Sequence, residues 1–232
     1  MIVSLSYIAQ AQWAQVMSFS AKMAGFGLIR KMKVMTLANE LAETLNSRIA
    51  SNSVASIALS GGSSPIALYR ELSMQAIDWH RVTVTLIDDR KVPSNHQDSN
   101  QRMVKETLFR GRAAGAKFVG LEEWPTNQSP DIGILGMGDD GHFASLFPAM
   151  LDIDDAFNLE AAPRVISTAP MGKPKISRIT MNLSMILGIQ TRILLIVGEK
   201  KKSILQKALV SNDLPIARLL AHDGTRIVYG SN

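Results

Sequence analysis

The chain has 232 residues, of which 46% are hydrophobic and 19% charged, and it contains no cysteine. This composition excludes a disordered chain. The absence of cysteine excludes disulfides, thiolate catalysis and cysteine-ligated zinc, and it fits a cytoplasmic protein. No apolar run reaches the length of a membrane span, so we expect no membrane partner. The net charge of +5 suits nucleic acid or an anionic small molecule, and because the basic residues are scattered with few aromatic residues among them, we expect a small molecule and no nucleic acid.

The first 33 residues are basic, since no acidic residue precedes Glu40. They lack the apolar core and the cleavage site of a secretory signal, but a transit peptide and a surface helix both share their charge bias. We predict a helical N-terminal extension over residues 1–33, whose role the sequence leaves open, followed by a single domain over residues 34–232.

From residue 34 onward, segments with helical periodicity alternate with short apolar runs. Helices are predicted over residues 34–50, 66–77, 100–109, 203–210 and 215–221, and strands over residues 54–59, 81–87, 118–121, 132–137, 165–168, 178–183, 192–197 and 225–229. The strands are continuously apolar rather than alternating, which is typical of parallel strands buried on both faces. The sequence therefore predicts a single-domain α/β fold with a mainly parallel sheet flanked by helices on both faces.

The loop after the first of these strands has the composition of an anion-binding site. Gly61 and Gly62 allow a ligand to approach the backbone closely, and Ser63 supplies a hydroxyl. Ser64 suits the cap of the following helix and Pro65 its first position, so that free N–H groups and a positive dipole end favour a bound phosphate or carboxylate. Alternatively, the loop is an ordinary strand-to-helix turn with a capped helix, which has the same kind of sequence. The loop is not a Walker loop, because no Gly-Lys-Ser/Thr follows.

Charged residues follow the next strand, where Asp88, Asp89 and Arg90 stand together. Because parallel strands bring their carboxyl ends to one edge of a sheet, we expect these charges to face a cleft that they share with the loop at 60–65. Alternatively, the two aspartates simply pair with Arg90.

Residues 131–148 contain a further strand, which is followed by glycines on either side of two carboxylates. The glycines match the G-x-G-x-x-G pattern of dinucleotide sites, but Asp139 and Asp140 inside the loop would repel a pyrophosphate. We expect His142 to start a short helix that Pro148 ends, and such a helix is also too short for a dinucleotide fold. Histidine titrates near neutrality and beside Asp140 suits a general base, although a lone histidine in a loop is more often structural.

Several segments match the motifs of one enzyme family. They are L-S-G-G-S-S-P at 59–65, D-D-R-K-V-P at 88–93 with D-S-N at 98–100, L-G-M-G-D-D-G-H-F-A-S-L-F-P at 135–148, R-I-T at 178–180 and G-E-K-K at 198–201. Through them, over about residues 34–210, the chain resembles the 6-phosphogluconolactonases, which share a fold superfamily with the glucosamine-6-phosphate deaminases. The segment after His142 follows the lactonase form rather than the I-A-F-N-E-P of the deaminases.

The resemblance implies a modified Rossmann-like fold and the hydrolysis of 6-phospho-D-glucono-1,5-lactone to 6-phospho-D-gluconate in the oxidative pentose phosphate pathway. We interpret His142 as the general base, Asp140 as the group that orients it and Arg90 as the group that binds substrate or stabilises the oxyanion. The phosphate is expected on the glycine-serine loop and two basic residues: Gly61, Gly62, Ser63, Ser64, Arg178 and Lys201. We expect a small-molecule sugar phosphate as the ligand, no metal, no cofactor, and a monomer or homodimer. Two alternative functions remain, a deaminase-like isomerase and a non-catalytic sugar-phosphate sensor.

The chain departs from the family pattern at three places. Phe143 stands where the family has threonine, Asp89 where it has glutamate, and residues 227–229 lack a late tryptophan segment. Because Phe143 adjoins His142, its ring either narrows the site or points into the core.

Overall fold

Strands and helices alternate through residues 30–211 and 213–230, the part of the chain that this computed structural model describes. The strands are β1 (Arg30–Met32), β2 (Ala55–Leu59), β3 (Val82–Leu86), β4 (Asp88–Arg90), β5 (Lys117–Phe118), β6 (Ile132–Leu135), β7 (Val165–Ser167), β8 (Arg178–Met181), β9 (Thr191–Val197) and β10 (Thr225–Gly230). The helices are α1 (Val34–Asn52), α2 (Ile66–Leu72), α3 (Asn100–Thr107), α4 (Asp154–Phe157), α5 (Leu183–Leu187), α6 (Glu199–Ala208) and α7 (Pro215–Leu220). Among the described helices, none has the length and apolar character needed to cross a membrane.

Seven of the strands form a parallel sheet in the order β1-β10-β9-β6-β2-β3-β5. Successive side chains of a strand point to opposite faces, so one apolar run supplies two layers of core. Ile193 and Leu195 of β9 pack in a cluster with α1, α2 and α3, whereas Leu194 and Ile196 pack in a second cluster with α5, α6 and α7. This arrangement confirms the predicted fold with helices on both faces, and it explains why the strands are continuously apolar.

The other three strands form a small antiparallel sheet in the order β4-β8-β7, which the sequence did not indicate. In the register of this sheet, Arg90 lies opposite Arg178 and Asp88 lies opposite Thr180. Directly opposed residues of an antiparallel pair project their side chains from the same face. The small sheet therefore places two arginines next to each other although they are 88 positions apart in sequence.

The N-terminal prediction is wrong where the structure tests it. Residues 30–32 form strand β1, which pairs in parallel with β10, so this part of the expected helical extension belongs to the main sheet. The remainder of the expected extension, residues 1–29, lies outside the described residues. Helix α1 begins at Val34, as the periodicity predicts.

The parallel pairing of β2, β3, β6 and β9 determines where the predicted motifs meet. The carboxyl ends of these strands lie at one edge of the sheet, and the loops that follow them converge there.

Candidate active site

A cleft of about 220 Å³ lies at this edge, among the loops that follow β2, β3, β6 and β9. Eight of the nine predicted site residues line it: Arg90, His142, Gly61, Gly62, Ser63, Ser64, Arg178 and Lys201. The ninth, Asp140, stands behind His142 rather than on the wall of the cleft. Asp88, which was expected to face this cleft, also lines it, and so does Asn100, although the sequence prediction gave neither of them a role.

His142 lies in a tight turn, so the predicted short helix at this position is wrong. The turn is closed by the Gly138 N–H, which donates to the His142 carbonyl at 2.8 Å. Gly141 has a φ of 77° and Ala144 a φ of 51°. Both values are in the left-handed region, which interrupts a right-handed helix. Helical structure begins only at Pro148, as a 3-10 turn over Pro148–Met150.

The Asp140 carboxylate contacts Nδ1 of the His142 ring and also accepts the His142 backbone N–H at 3.2 Å. The hydrogen bond from His142 is the main reason why the pKa of Asp140 lies below its ordinary value. An ionised acceptor at Nδ1 favours the tautomer that carries its proton there. The lone pair of Nε2 is then free to take a proton, and none of the described residues donates to or accepts from Nε2.

The loop at 60–65 faces the cleft from the other side. Gly62 has a φ of 90°, a conformation that glycine adopts at little steric cost. The predicted cap at Ser64 is wrong, because Pro65 occupies the N-cap of α2 without a side-chain hydrogen bond. The Ser64 hydroxyl instead accepts from Lys201 Nζ at 3.3 Å, and burial lowers the pKa of Lys201. This contact brings the ammonium group of α6 to the glycine-serine loop.

The Arg90 guanidinium is fixed by one buried side chain. Its Nη1 donates to Asn100 Oδ1 at 2.6 Å, while Asn100 Nδ2 donates to the Asp88 carbonyl at 2.8 Å. The Asn100 amide fills the space beside Gly61, where a Cβ would lie 1.9 Å from Asn100 Oδ1. The D-S-N match at 98–100 was the signal in the sequence that could have assigned Asn100 to the site.

Arg178, beside Arg90 in the small sheet, is almost completely buried. Its Nε donates to the Met171 carbonyl at 3.4 Å, and its guanidinium carbon lies 5.3 Å from the centre of the Phe147 ring. The same ring lies 4.5 Å from the His142 imidazole, centre to centre. Burial is the main cause that lowers the pKa of Arg178, and the positive charge of Arg90 lowers it further. Two neighbouring guanidinium groups of this kind favour a bound anion.

The expectation that Asp89 faces the cleft is wrong, since Asp89 is not among the residues that line it. Its carboxylate accepts backbone N–H groups of Arg90 at 2.7 Å, of Asn100 at 2.6 Å and of Gln101 at 3.1 Å, which satisfies donors at the start of α3. Burial raises the pKa of Asp89. The alternative that the aspartates simply pair with Arg90 is wrong, since in the described residues neither carboxylate forms an ion pair with its guanidinium. Asp89 stands where the family pattern has glutamate, and its carboxylate stabilises the fold instead of lining the cleft.

Phe143 points into the core. Its ring is fully buried and meets Phe157 edge-on at 6.4 Å between ring centres. The ring therefore does not narrow the cleft, although it adjoins His142 in sequence.

The described residues contain no group of three or more histidine, aspartate or glutamate side chains that could hold a metal ion.

Comparison with known proteins gives consistent matches over most of the chain. The family model described as glucosamine-6-phosphate isomerases/6-phosphogluconolactonase matches residues 30–124 and 113–228. The 6-phosphogluconolactonase of Pseudomonas putida is 36% identical over 217 residues, which is 86% of this chain and 89% of that protein. The 6-phosphogluconolactonase of Pseudomonas aeruginosa is 36% identical over 195 residues, or 76% of this chain and 81% of that protein. A crystal structure of a 6-phosphogluconolactonase from Shewanella baltica has a TM-score of 0.76 at 31% identity, and the match covers 88% of this chain and 100% of that one.

Proposed function

This chain belongs to the family of glucosamine-6-phosphate isomerases and 6-phosphogluconolactonases, and on that premise we propose that it hydrolyses 6-phospho-D-glucono-1,5-lactone to 6-phospho-D-gluconate. The observation that carries the proposal is the His142–Asp140 pair, whose imidazole opens onto a cleft lined by Arg90, Arg178 and Lys201. A base beside several cations suits an ester substrate that carries a phosphate.

His142 is the general base of the proposed reaction. Nε2 takes a proton from a water molecule while the water oxygen attacks the lactone carbonyl carbon, and the carbonyl oxygen becomes an oxyanion. When the tetrahedral intermediate collapses, the bond to the ring oxygen breaks and the imidazolium returns its proton to that oxygen. Asp140 holds Nδ1–H throughout and stabilises the imidazolium, as a carboxylate does behind other catalytic histidines.

Arg90 is suited to stabilise the oxyanion. Its guanidinium is held by Asn100 before substrate arrives, so little reorganisation is needed when the negative charge develops. Arg178 lies beside it and adds positive charge to the same region.

The phosphate of the substrate is proposed to lie on the backbone of Gly61 and Gly62, beside the Lys201–Ser64 contact. Glycines allow close approach of phosphate oxygens to backbone N–H groups, and Lys201 supplies a charge that the phosphate can pair with. The phosphate would then fix the distance from the anchored end of the substrate to His142.

The test is the rate of 6-phosphogluconolactone hydrolysis above the spontaneous background, for wild type, His142→Ala and His222→Ala. His222 precedes β10 at the opposite edge of the sheet and serves as the matched histidine control. We expect fast wild-type turnover, a loss of about 10²- to 10⁴-fold in His142→Ala and no change in His222→Ala.

Three other outcomes would contradict parts of the proposal. Near-normal turnover by His142→Ala would show that His142 is not the base. A wild-type protein that binds 6-phosphogluconate without turnover would be a sugar-phosphate sensor. Release of ammonia from glucosamine 6-phosphate, without lactone hydrolysis, would identify a deaminase.

A further inference from the structure

Asp88 is a buried carboxylate on the wall of the cleft that the proposed reaction does not use. Only 8% of its side chain is exposed, yet it lines the cleft together with Arg90, Arg178 and Lys201. A carboxylate among these cations weakens the binding of any anion nearby, and removing it from water costs free energy. Its position therefore requires a reason other than phosphate binding.

The carboxylate is held on one side by the segment that carries the proposed base. Ser145, three residues after His142, is fully buried and donates its hydroxyl to Asp88 Oδ2. Nη1 of Arg178 lies 3.9 Å from the same oxygen. The Ser145 N–H donates to Thr180 Oγ1 at 3.2 Å, so Ser145 itself is fixed against β8.

Within the described part of the chain, the second oxygen of this carboxylate has no partner. Among residues 30–211 and 213–230, no donor forms a hydrogen bond with Asp88 Oδ1. Oδ1 is not one of the fully buried polar atoms that lack a partner, so it is accessible to solvent, and Asp88 lines the cleft. The structure thus presents one fixed carboxylate oxygen to whatever occupies the cleft.

We infer that Asp88 Oδ1 accepts a hydrogen bond from a ring hydroxyl of the bound lactone, and that Asp88 makes the site selective for lactones that carry this hydroxyl. This inference rests on the proposed function. A carboxylate is an acceptor only, so of the groups on a phosphorylated sugar lactone it attracts the hydroxyls and repels the phosphate. A site built to bond a hydroxyl discriminates strongly against an analogue that lacks it, because the buried acceptor is then left unpaired.

A purely structural role, in which Asp88 only holds Arg178, fits the geometry less well. The separation of 3.9 Å between Arg178 Nη1 and Asp88 Oδ2 is too long for a hydrogen bond. The Arg178 guanidinium is already held by the carbonyls of Met171 at 3.4 Å and Pro174 at 3.5 Å, and by the Phe147 ring.

The experiment compares wild type and Asp88→Asn on four substrates: 6-phosphogluconolactone and its 2-deoxy, 3-deoxy and 4-deoxy analogues. In the variant, Ser145 donates to the amide oxygen and thereby turns the NH₂ group, a donor, toward the cleft. We expect wild-type kcat/KM to be roughly 10- to 100-fold lower for one deoxy lactone, the range for a hydrogen bond to a charged group. Asp88→Asn should lose part of this factor on the parent lactone, because the hydroxyl can then only accept from the amide instead of donating to the carboxylate, and it should lose nothing on that deoxy lactone.

Asp131→Asn is the matched control, because Asp131 precedes β6 at the opposite edge of the sheet, where its carboxylate accepts from Ser56. Its preference among the four lactones should equal that of wild type. Equal losses by Asp88→Asn on all four substrates would overturn the inference and leave Asp88 as a support for Arg178.

Wild type that accepts all three deoxy lactones as well as the parent would overturn the inference without any variant. If Asp88→Asn does not fold, Asp88→Ser replaces it, and an unchanged preference among the four lactones in that variant would also overturn the inference. Wild type inactive on the parent lactone would instead refute the proposed function.

Discussion

Replacing Gly138 by alanine should remove most of the activity without unfolding the protein. A Cβ at position 138 would lie 2.1 Å from Cε1 and 2.3 Å from Nδ1 of His142, so the imidazole must move. The backbone of Gly138 is not in the left-handed region, so alanine is compatible with the chain itself.

The size of the effect follows from how far the ring must move. An ordinary contact needs at least 3.4 Å, so Cε1 has to retreat by about 1.3 Å. The His142 side chain is 26% exposed and can turn toward solvent, which relieves the clash at little cost in stability. A misplacement of about 1 Å can cost 10²-fold in rate, and loss of the base costs about 10²- to 10⁴-fold. We therefore expect kcat to fall at least about 10²-fold, with a melting temperature within about 4 °C of wild type.

The assay measures kcat for lactone hydrolysis and the melting temperature of the same preparations. Gly120→Ala is the control, because the nearest atom to its Cβ, on Glu123, would be 3.9 Å away. The double variant with Gly138→Ala and His142→Ala should be no slower than His142→Ala alone, since both changes act on one group. A folded Gly138→Ala variant with wild-type kcat would refute the assignment of His142 as a positioned base.

Two further changes test the core and the phosphate end of the cleft. Phe143→Thr would restore the threonine of the family pattern. Because this ring is fully buried, the change should lower the free energy of unfolding by about 3 kcal/mol and the melting temperature by roughly 6–12 °C. Calorimetry measures the loss, and a gain in kcat/KM would contradict the placement of the ring. Burial lowers the pKa of Lys201, so wild-type affinity for 6-phosphogluconate should weaken as pH rises through a value below the ordinary pKa of lysine, 10.5. The variant Lys201→Arg stays charged and should bind 6-phosphogluconate equally from pH ~7 to ~10. Titration calorimetry across this range would show parallel losses of affinity in both proteins if Lys201 were not the phosphate partner.

The parallel sheet and most of the cleft could be predicted because each depends on short stretches of sequence. A continuous apolar run such as Ile132–Leu135 indicates a strand buried on both faces, and parallel strands carry the following loops to one edge. The glycine-serine loop and the His142 turn therefore met as predicted, although each was recognised separately.

The features that the sequence did not reveal depend on partners far apart in the chain. Strand β4 consists of three charged residues, Asp88–Arg90, and no periodicity indicates that it pairs with β8. Asp88 and Ser145 are 57 positions apart, so only the folded chain shows that one fixes the other. The shape of the histidine turn was also hidden, because Pro148 indicates the end of a helix, whereas a φ of 51° at Ala144 leaves no mark in the sequence.

The small antiparallel sheet gives this cleft what the parallel sheet alone lacks. The loops of the parallel sheet supply the histidine and the glycine-serine segment, and helix α6 supplies Lys201, but both arginines belong to β4 and β8. Their side chains share one face because Arg90 is paired directly with Arg178. A register shift of one residue would turn β8 over, because side chains alternate along a strand, and would present Ile179 to the cleft in place of Arg178. The pairing register of two short strands thus determines the positive charge at the proposed reaction centre. The Phe147 ring packs against both His142 and Arg178, and so it connects the small sheet to the proposed base.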